Sequence, residues 1–139
     1  MKYWDTSALL PLLIDEKKTG AVKSLYEEDG EQTVWCLTDV EIGAALSRRV
    51  REGLPQERAD HLREDWKTLA RGWRAIASVE SVGARALRLV QTHPLRAADA
   101  LQLAAALVAC TERPEALPFV CLDDRLRDAA RREGFPVLP

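Results

Sequence analysis

Four acidic residues stand where the order of the chain would let them meet. Asp5 closes the apolar run of "MKYWDTSALL" and is followed at once by two hydroxyls, Thr6 and Ser7. Asp123 follows a second apolar run, "PFVCL", and Glu41 lies in the first turn of the helix expected after a third, "TVWCL". Asp99 falls near the start of the helix-like segment "RAADALQLAAAL". Three or four carboxylates held close together repel, and the group persists only when a cation or protons neutralise it. A hard divalent ion such as Mg²⁺ or Mn²⁺ takes oxygen ligands, keeps several waters and bridges carboxylates to substrate phosphates. It also makes water a nucleophile for in-line attack on a phosphodiester.

Each acid taken alone has a local explanation. Thr38-Asp39-Val40-Glu41 fits the capping box, in which Glu41 would only bond the backbone N–H of Thr38. Asp99 could complement the positive end of its helix, and Asp123 or Asp124 could cap the last one. Of the two hydroxyls, one can cap the helix after Asp5 while the other orients that carboxylate; Ser7 is assigned to the site. It is the combination that points to chemistry.

Those residues need elements to position them. Strand-like "KYW" leads into helices running through about Leu13 and Tyr26, then strand "TVWCL", a helix from about Asp39 and another from about Pro55. Next come strand "AIASV", helices "SVGARALRLVQTH" and "RAADALQLAAALVAC", strand "PFVCL", helix "DRLRDAARRE" and a last strand "FPVLP". This alternation predicts a mostly parallel sheet covered by helices. Asp5, Glu41 and Asp123 then share the carboxyl rim of the sheet, the edge where open α/β sheets bind ligands. A parallel topology can return Asp99 across the same rim. Leu62, Trp66, Leu69 and Trp73 fall on one helical face and are expected to pack.

Composition narrows the field. The 139 residues suit one domain, 1–139, and 47% hydrophobic with 30% charged residues is ordinary for a soluble globular chain. No apolar stretch approaches the roughly 20 residues of a membrane helix, and Met1 leads almost directly into strand with no signal peptide in view, so a cytoplasmic location is expected. Cys36, Cys110 and Cys121 are widely spaced and read as buried, reduced thiols; His61 and His93 read as surface or packing residues. With a net charge of −2, nucleic-acid contact must be local, and the arginine clusters at 48–51 and 125–132 read as solvated helix faces. No glycine-rich phosphate loop is present, so the chemistry must come from side chains.

The segments "YWDTSAL", "LTDVEIGAAL", "LRAADALQLAAAL" and "FVCLDDRLRDAARREGFPV" resemble, in order and rough spacing, the four acidic motifs of PIN-domain ribonucleases, VapC-type toxins above all. The resemblance implies a three-layer α/β/α fold around a five-stranded sheet, Mg²⁺- or Mn²⁺-dependent cleavage of RNA, and inhibition by a VapB-type antitoxin, with contact to DNA only through that antitoxin. It also implies a homodimer, and it carries the family's acids onto Asp5, Glu41, Asp99 and Asp123, with Asp5, Asp99 and Asp123 as metal ligands. Asp124 is a possible assistant. Cys121 replaces a common Thr or Ser, and Gln102 a common His.

Other readings compete. A haloacid dehalogenase-type phosphatase needs an acid where Ser7 stands, and a receiver domain needs a late lysine, yet the last is Lys67. A silent binding module of the same fold, or a non-toxin RNA-processing nuclease, remains the alternative.

Overall fold

The computed structural model describes residues 1–15 and 17–139. Five strands form one sheet: β1 (Lys2–Trp4), β2 (Gln32–Trp35), β3 (Arg74–Ile76), β4 (Phe119–Val120) and β5 (Val137–Leu138). Their spatial order is β3-β2-β1-β4-β5 and every pairing is parallel, so the sheet is wholly rather than mostly parallel. Between the strands run α1 (Thr6–Leu13), α2 (Thr19–Glu27), α3 (Thr38–Arg51), α4 (Gln56–Ala70), α5 (Val79–Thr92), α6 (Ala97–Ala109) and α7 (Asp124–Arg132).

Alternate residues of a strand point to opposite faces, and this rule builds the three layers. Tyr3, Trp35 and Phe119 face a core shared with α5, α6 and α7. Their neighbours Trp4, Val34 and Val120 face a core shared with α1 to α4. Both faces of the sheet are covered, which is why its strands read as continuous apolar runs. Phe119 stacks on Tyr3 at 5.3 Å and meets Phe135 at 5.5 Å; burying such a ring contributes about 1.5–3 kcal/mol. Helix α6 brings five alanines into the first core, Ala100, Ala104, Ala105, Ala106 and the half-buried Ala109, so its backbone can lie close to the sheet.

The boundaries depart from the sequence reading at the start of α5 and the end of α4. Helix α5 begins at Val79, inside the run read as strand, because β3 pairs with β2 only from Arg74 to Ile76 and the chain turns at Ser78, whose carbonyl accepts from Val82 N. Helix α4 ends at Ala70, so Trp73 reaches the packed face from the following turn: its ring meets Trp66 edge-on at 4.4 Å, and its indole N–H donates to Tyr26 Oη. Leu62 and Trp66 are buried as expected, whereas Leu69 is only half-buried. The thiols are all free, but Cys36 is half-buried while Cys110 and Cys121 are buried. His61 is exposed, and buried His93 bonds Glu133 at 2.6 Å.

After α7 the chain turns at Gly134 with φ +97°. A Cβ there would strain the backbone and meet Pro114 Cγ at 3.2 Å, so glycine is required.

Candidate active site

Asp5 directly follows β1, and its N–H continues the ladder onto Val120 O at 3.0 Å. It is 5% exposed and caps α1 by accepting from Ser7 N at 2.9 Å. Ser7 Oγ donates to the same Asp5 oxygen at 2.5 Å and accepts from Leu122 N at 2.9 Å. The hydroxyl is therefore fully engaged, and it locks the Asp5 carboxylate against the β4–α7 connection. Cys121 Sγ lies 3.6 Å from both Asp5 Oδ2 and Ser7 Oγ, the weak contact expected of a thiol.

Glu41 does not close a capping box. The helix cap falls one residue earlier than the motif requires, at Leu37, which leaves Thr38 as the first helical residue and Glu41 one position too deep to reach back. Instead Thr6 Oγ1 donates to Glu41 Oε2 at 2.6 Å, and Gln102 Nε2 faces both Glu41 oxygens at 3.2 Å. Gln102, 1% exposed, also faces Thr6 Oγ1 at 3.1 Å and Thr38 Oγ1 at 3.3 Å while its carbonyl accepts from Tyr3 Oη at 2.7 Å. One buried amide thus ties β1, α1 and α3 to α6 and fixes the Glu41 carboxylate. With Asp99 it is one of two polar residues in a helix otherwise made of Ala, Leu and one Val, and the sequence had marked it where the family commonly has His.

Asp99 lies in the first turn of α6 and accepts from the backbone N–H of Arg96. Asp123 caps α7 through a bond from Leu126 N at 2.9 Å. Local capping and a place at the rim therefore coexist for Asp5, Asp99 and Asp123. Asp5, Glu41, Asp99 and Asp123 line one cleft of about 510 Å³ together with Thr6, Ser7, Arg48 and Arg51. An adjoining recess of about 540 Å³ shares Asp99 and Asp123 and adds Arg96, Asp124 and Arg125; Asp124 thus borders the recess and not the cleft. A separate apolar groove between α3 and α4, of about 500 Å³, is lined by Ile42, Leu46, Trp66 and Ala70.

The carboxylates disturb one another. Burial, first of all, raises the pKa of Asp5 above its ordinary value; bonds from Ser7 and Cys121 oppose this, and the charge of Asp99 adds to it. Burial also raises Glu41, against the bonds from Thr6 and Gln102 and with help from the charges of Asp5 and Asp99. Asp99 is raised by burial and then by Asp123, while Arg96 and Arg125 pull it back. No ion pair within 4.0 Å neutralises any of the four among the described residues.

Among the described residues no group of three or more His, Cys, Asp or Glu is arranged to hold a metal ion by itself. The donor chemistry nevertheless fits Mg²⁺ or Mn²⁺: the cleft offers hard carboxylate oxygens, and Mg²⁺ binds through one or two carboxylates while keeping several waters. A caged, fully dehydrated ion does not fit.

The raised pKa values set a pH dependence. For each of these acids the folded state prefers the proton more than the unfolded chain does, so the stability they contribute is complete below the ordinary values of 3.8 for Asp and 4.5 for Glu. It is lost as pH rises through the higher folded-state values. Urea unfolding of metal-free protein across that window is expected to give a smaller loss for Asp99→Asn than for the wild type; identical profiles would show that Asp99 takes no part in the repulsion.

The parallel sheet, its order and the acids at its carboxyl rim define the class: the chain belongs to the PIN-domain family, whose model matches residues 2–132. Among characterised relatives it is 28% identical over 138 residues to "Ribonuclease VapC45" and to "Ribonuclease VapC49", from two strains of Mycobacterium tuberculosis, covering 99% of this chain and 94% of each relative. Among solved structures it matches the "Toxin-antitoxin complex from Klebsiella pneumoniae" with a TM-score of 0.68 at 16% identity, over 100% of this chain and 97% of the other. That likeness shows a shared fold. No helix among the described residues is long and apolar enough to cross a membrane.

Proposed function

We propose that residues 1–139 act as one PIN-like domain, a Mg²⁺- or Mn²⁺-dependent endoribonuclease of the VapC toxin type, working in the cytoplasm. The observation that carries this reading is the convergence of Asp5, Glu41, Asp99 and Asp123 on one cleft, with no ion pair within 4.0 Å to neutralise them among the described residues.

Asp5, Asp99 and Asp123 are the residues that would hold the ion, one or two of them directly and the rest through its waters. When bound, the ion supplies charge neutralisation and activation of water for attack on phosphorus. Ser7 holds Asp5 in place through its hydroxyl proton. Thr6 and Gln102 turn Glu41 toward the cleft, where its carboxylate can orient the attacking water or take its proton. Low exposure of Asp5 keeps its charge poorly solvated and its pull on a cation strong.

The partner is a VapB-type antitoxin. Its inhibitory segment combines an apolar anchor, for which the α3–α4 groove offers Ile42, Leu46 and Trp66, with an arginine that reaches the acids as a bidentate counter-ion. The chain pairs with a second copy of itself, a reading supported by the exposed apolar face of α5, where Val79, Leu87 and Val90 are 63%, 67% and 43% exposed. Contact with DNA comes only through the antitoxin.

The experiment is an RNA cleavage assay in EDTA and in Mg²⁺, without and with the product of a small neighbouring gene. Cleavage in Mg²⁺ alone, suppressed by that product and partly restored when its key arginine becomes alanine, is the expected result. Absence of metal-dependent cleavage would favour a silent binding module, and inhibition indifferent to the arginine would mean that steric blocking suffices.

A further inference from the structure

On sequence alone the arginine clusters read as solvated faces; Arg48, Arg51 and Arg125 are exposed as read, and they also stand beside the acids. Arg48 and Arg51 of α3 line the acid cleft itself. Arg96, at the cap of α6, and Arg125, in the first turn of α7, line the adjoining recess. The two hollows meet at Asp99 and Asp123, so one pair of guanidinium groups lies to each side of these acids. Resting on the ribonuclease reading, we propose that Arg48 and Arg51 on one side, and Arg96 and Arg125 on the other, hold the backbone phosphates that flank the scissile bond of an RNA strand.

All four side chains belong to exposed residues. Arg51, Arg96 and Arg125 form no ion pair with a carboxylate among the described residues, and Arg48 only reaches Glu52 at 4.0 Å with a well-exposed side chain. The guanidinium groups are thus available to a ligand rather than committed to the acids beside them. Among the described residues no lysine lines either hollow, and a planar guanidinium fork matches two phosphate oxygens where an ammonium offers a single point of charge. The net charge of −2 gives the chain no general attraction for a polyanion, so affinity for RNA must come from such a local set. Without these four groups the charged side chains that a strand would meet in the two hollows would all be carboxylates.

The test is fluorescence anisotropy of a labelled single-stranded oligouridine RNA with the full chain in Ca²⁺, over a KCl series, with the RNA checked for integrity on a gel. Wild type is compared with Arg48→Gln/Arg51→Gln, with Arg96→Gln/Arg125→Gln and with the matching lysine variants, each checked for folding by circular dichroism. Each glutamine pair is expected to weaken binding and to flatten the dependence of log K on log salt by roughly 0.7 for every phosphate no longer neutralised. The lysine pairs should retain the wild-type slope while binding less tightly. No measurable binding by the wild type, or wild-type slope and affinity in both glutamine pairs, would overturn the proposal. Flattened slopes from a chain that never cuts RNA in Mg²⁺ would keep the arginine track and refute the nuclease reading. Cleavage in Mg²⁺ with unchanged slopes would refute the track alone.

Discussion

Asp5→Asn and Asp99→Asn are each expected to reduce RNA cleavage in Mg²⁺ by about a thousandfold or more while leaving the fold intact. In the proposed site each change removes one ligand charge, and a cation placed to stabilise the developing phosphorane charge contributes several kcal/mol to the transition state, which converts to rate at tenfold per about 1.4 kcal/mol. The structural cost is small. Asn caps a helix as well as Asp does, so at position 5 it can still accept from Ser7 N and Ser7 Oγ. Asp99 is half-buried, and its amide isostere keeps the same volume. Circular dichroism and single-turnover cleavage of a labelled RNA separate the two effects. Unfolded variants would point to capping as the dominant role, and wild-type rates in folded variants would remove the acids from the site. Glu41→Gln should fall in the same direction: no capping box forms for glutamine to preserve, and the proton-accepting carboxylate is lost.

The second large effect is thermodynamic. Metal-free protein holds Asp5, Glu41 and Asp99 with their charged forms disfavoured, and unfolding relieves that. Mg²⁺ that binds only the folded chain is expected to stabilise it by about 2.7 kcal/mol at a hundredfold excess over Kd. Asp99→Asn should melt at a higher temperature than wild type in EDTA, because it removes one of the repelling charges, and should gain much less from Mg²⁺. Calorimetry in both buffers checks the pair of expectations. Equal gains in the two proteins would place the ion away from Asp99.

Much of this arrangement was legible in the sequence because strand and helix patterns are local. The apolar runs that end at Asp5 and near Asp123 placed both acids at strand ends, and the alternation of elements implied a parallel sheet. Two kinds of information were not legible. The order β3-β2-β1-β4-β5 depends on pairings between distant segments, on which no single run reports. Nor did spacing show what the polar side chains would bond: Gln102 could be numbered as three residues after Asp99, but its position as the buried hub between Tyr3, Thr6, Thr38 and Glu41 exists only once four elements pack. The capping-box motif at Thr38–Glu41 matched in letters and failed by one residue in register, since Leu37 and not Thr38 ends the strand connection. Asp29, read only as part of a turn, is 4% exposed and accepts from Lys2 N and the Trp4 indole, fixing β1 from below the rim.

The most direct measurement is the chemistry of the cut end. RNA cleaved by the purified chain in Mg²⁺ and ¹⁸O-labelled water, and analysed by mass spectrometry, is predicted to carry one solvent ¹⁸O in a linear terminal phosphate, with no product in EDTA. A 2′,3′-cyclic phosphate free of ¹⁸O would mean that the RNA's own 2′-hydroxyl is the nucleophile, and would contradict water attack at the carboxylate cleft.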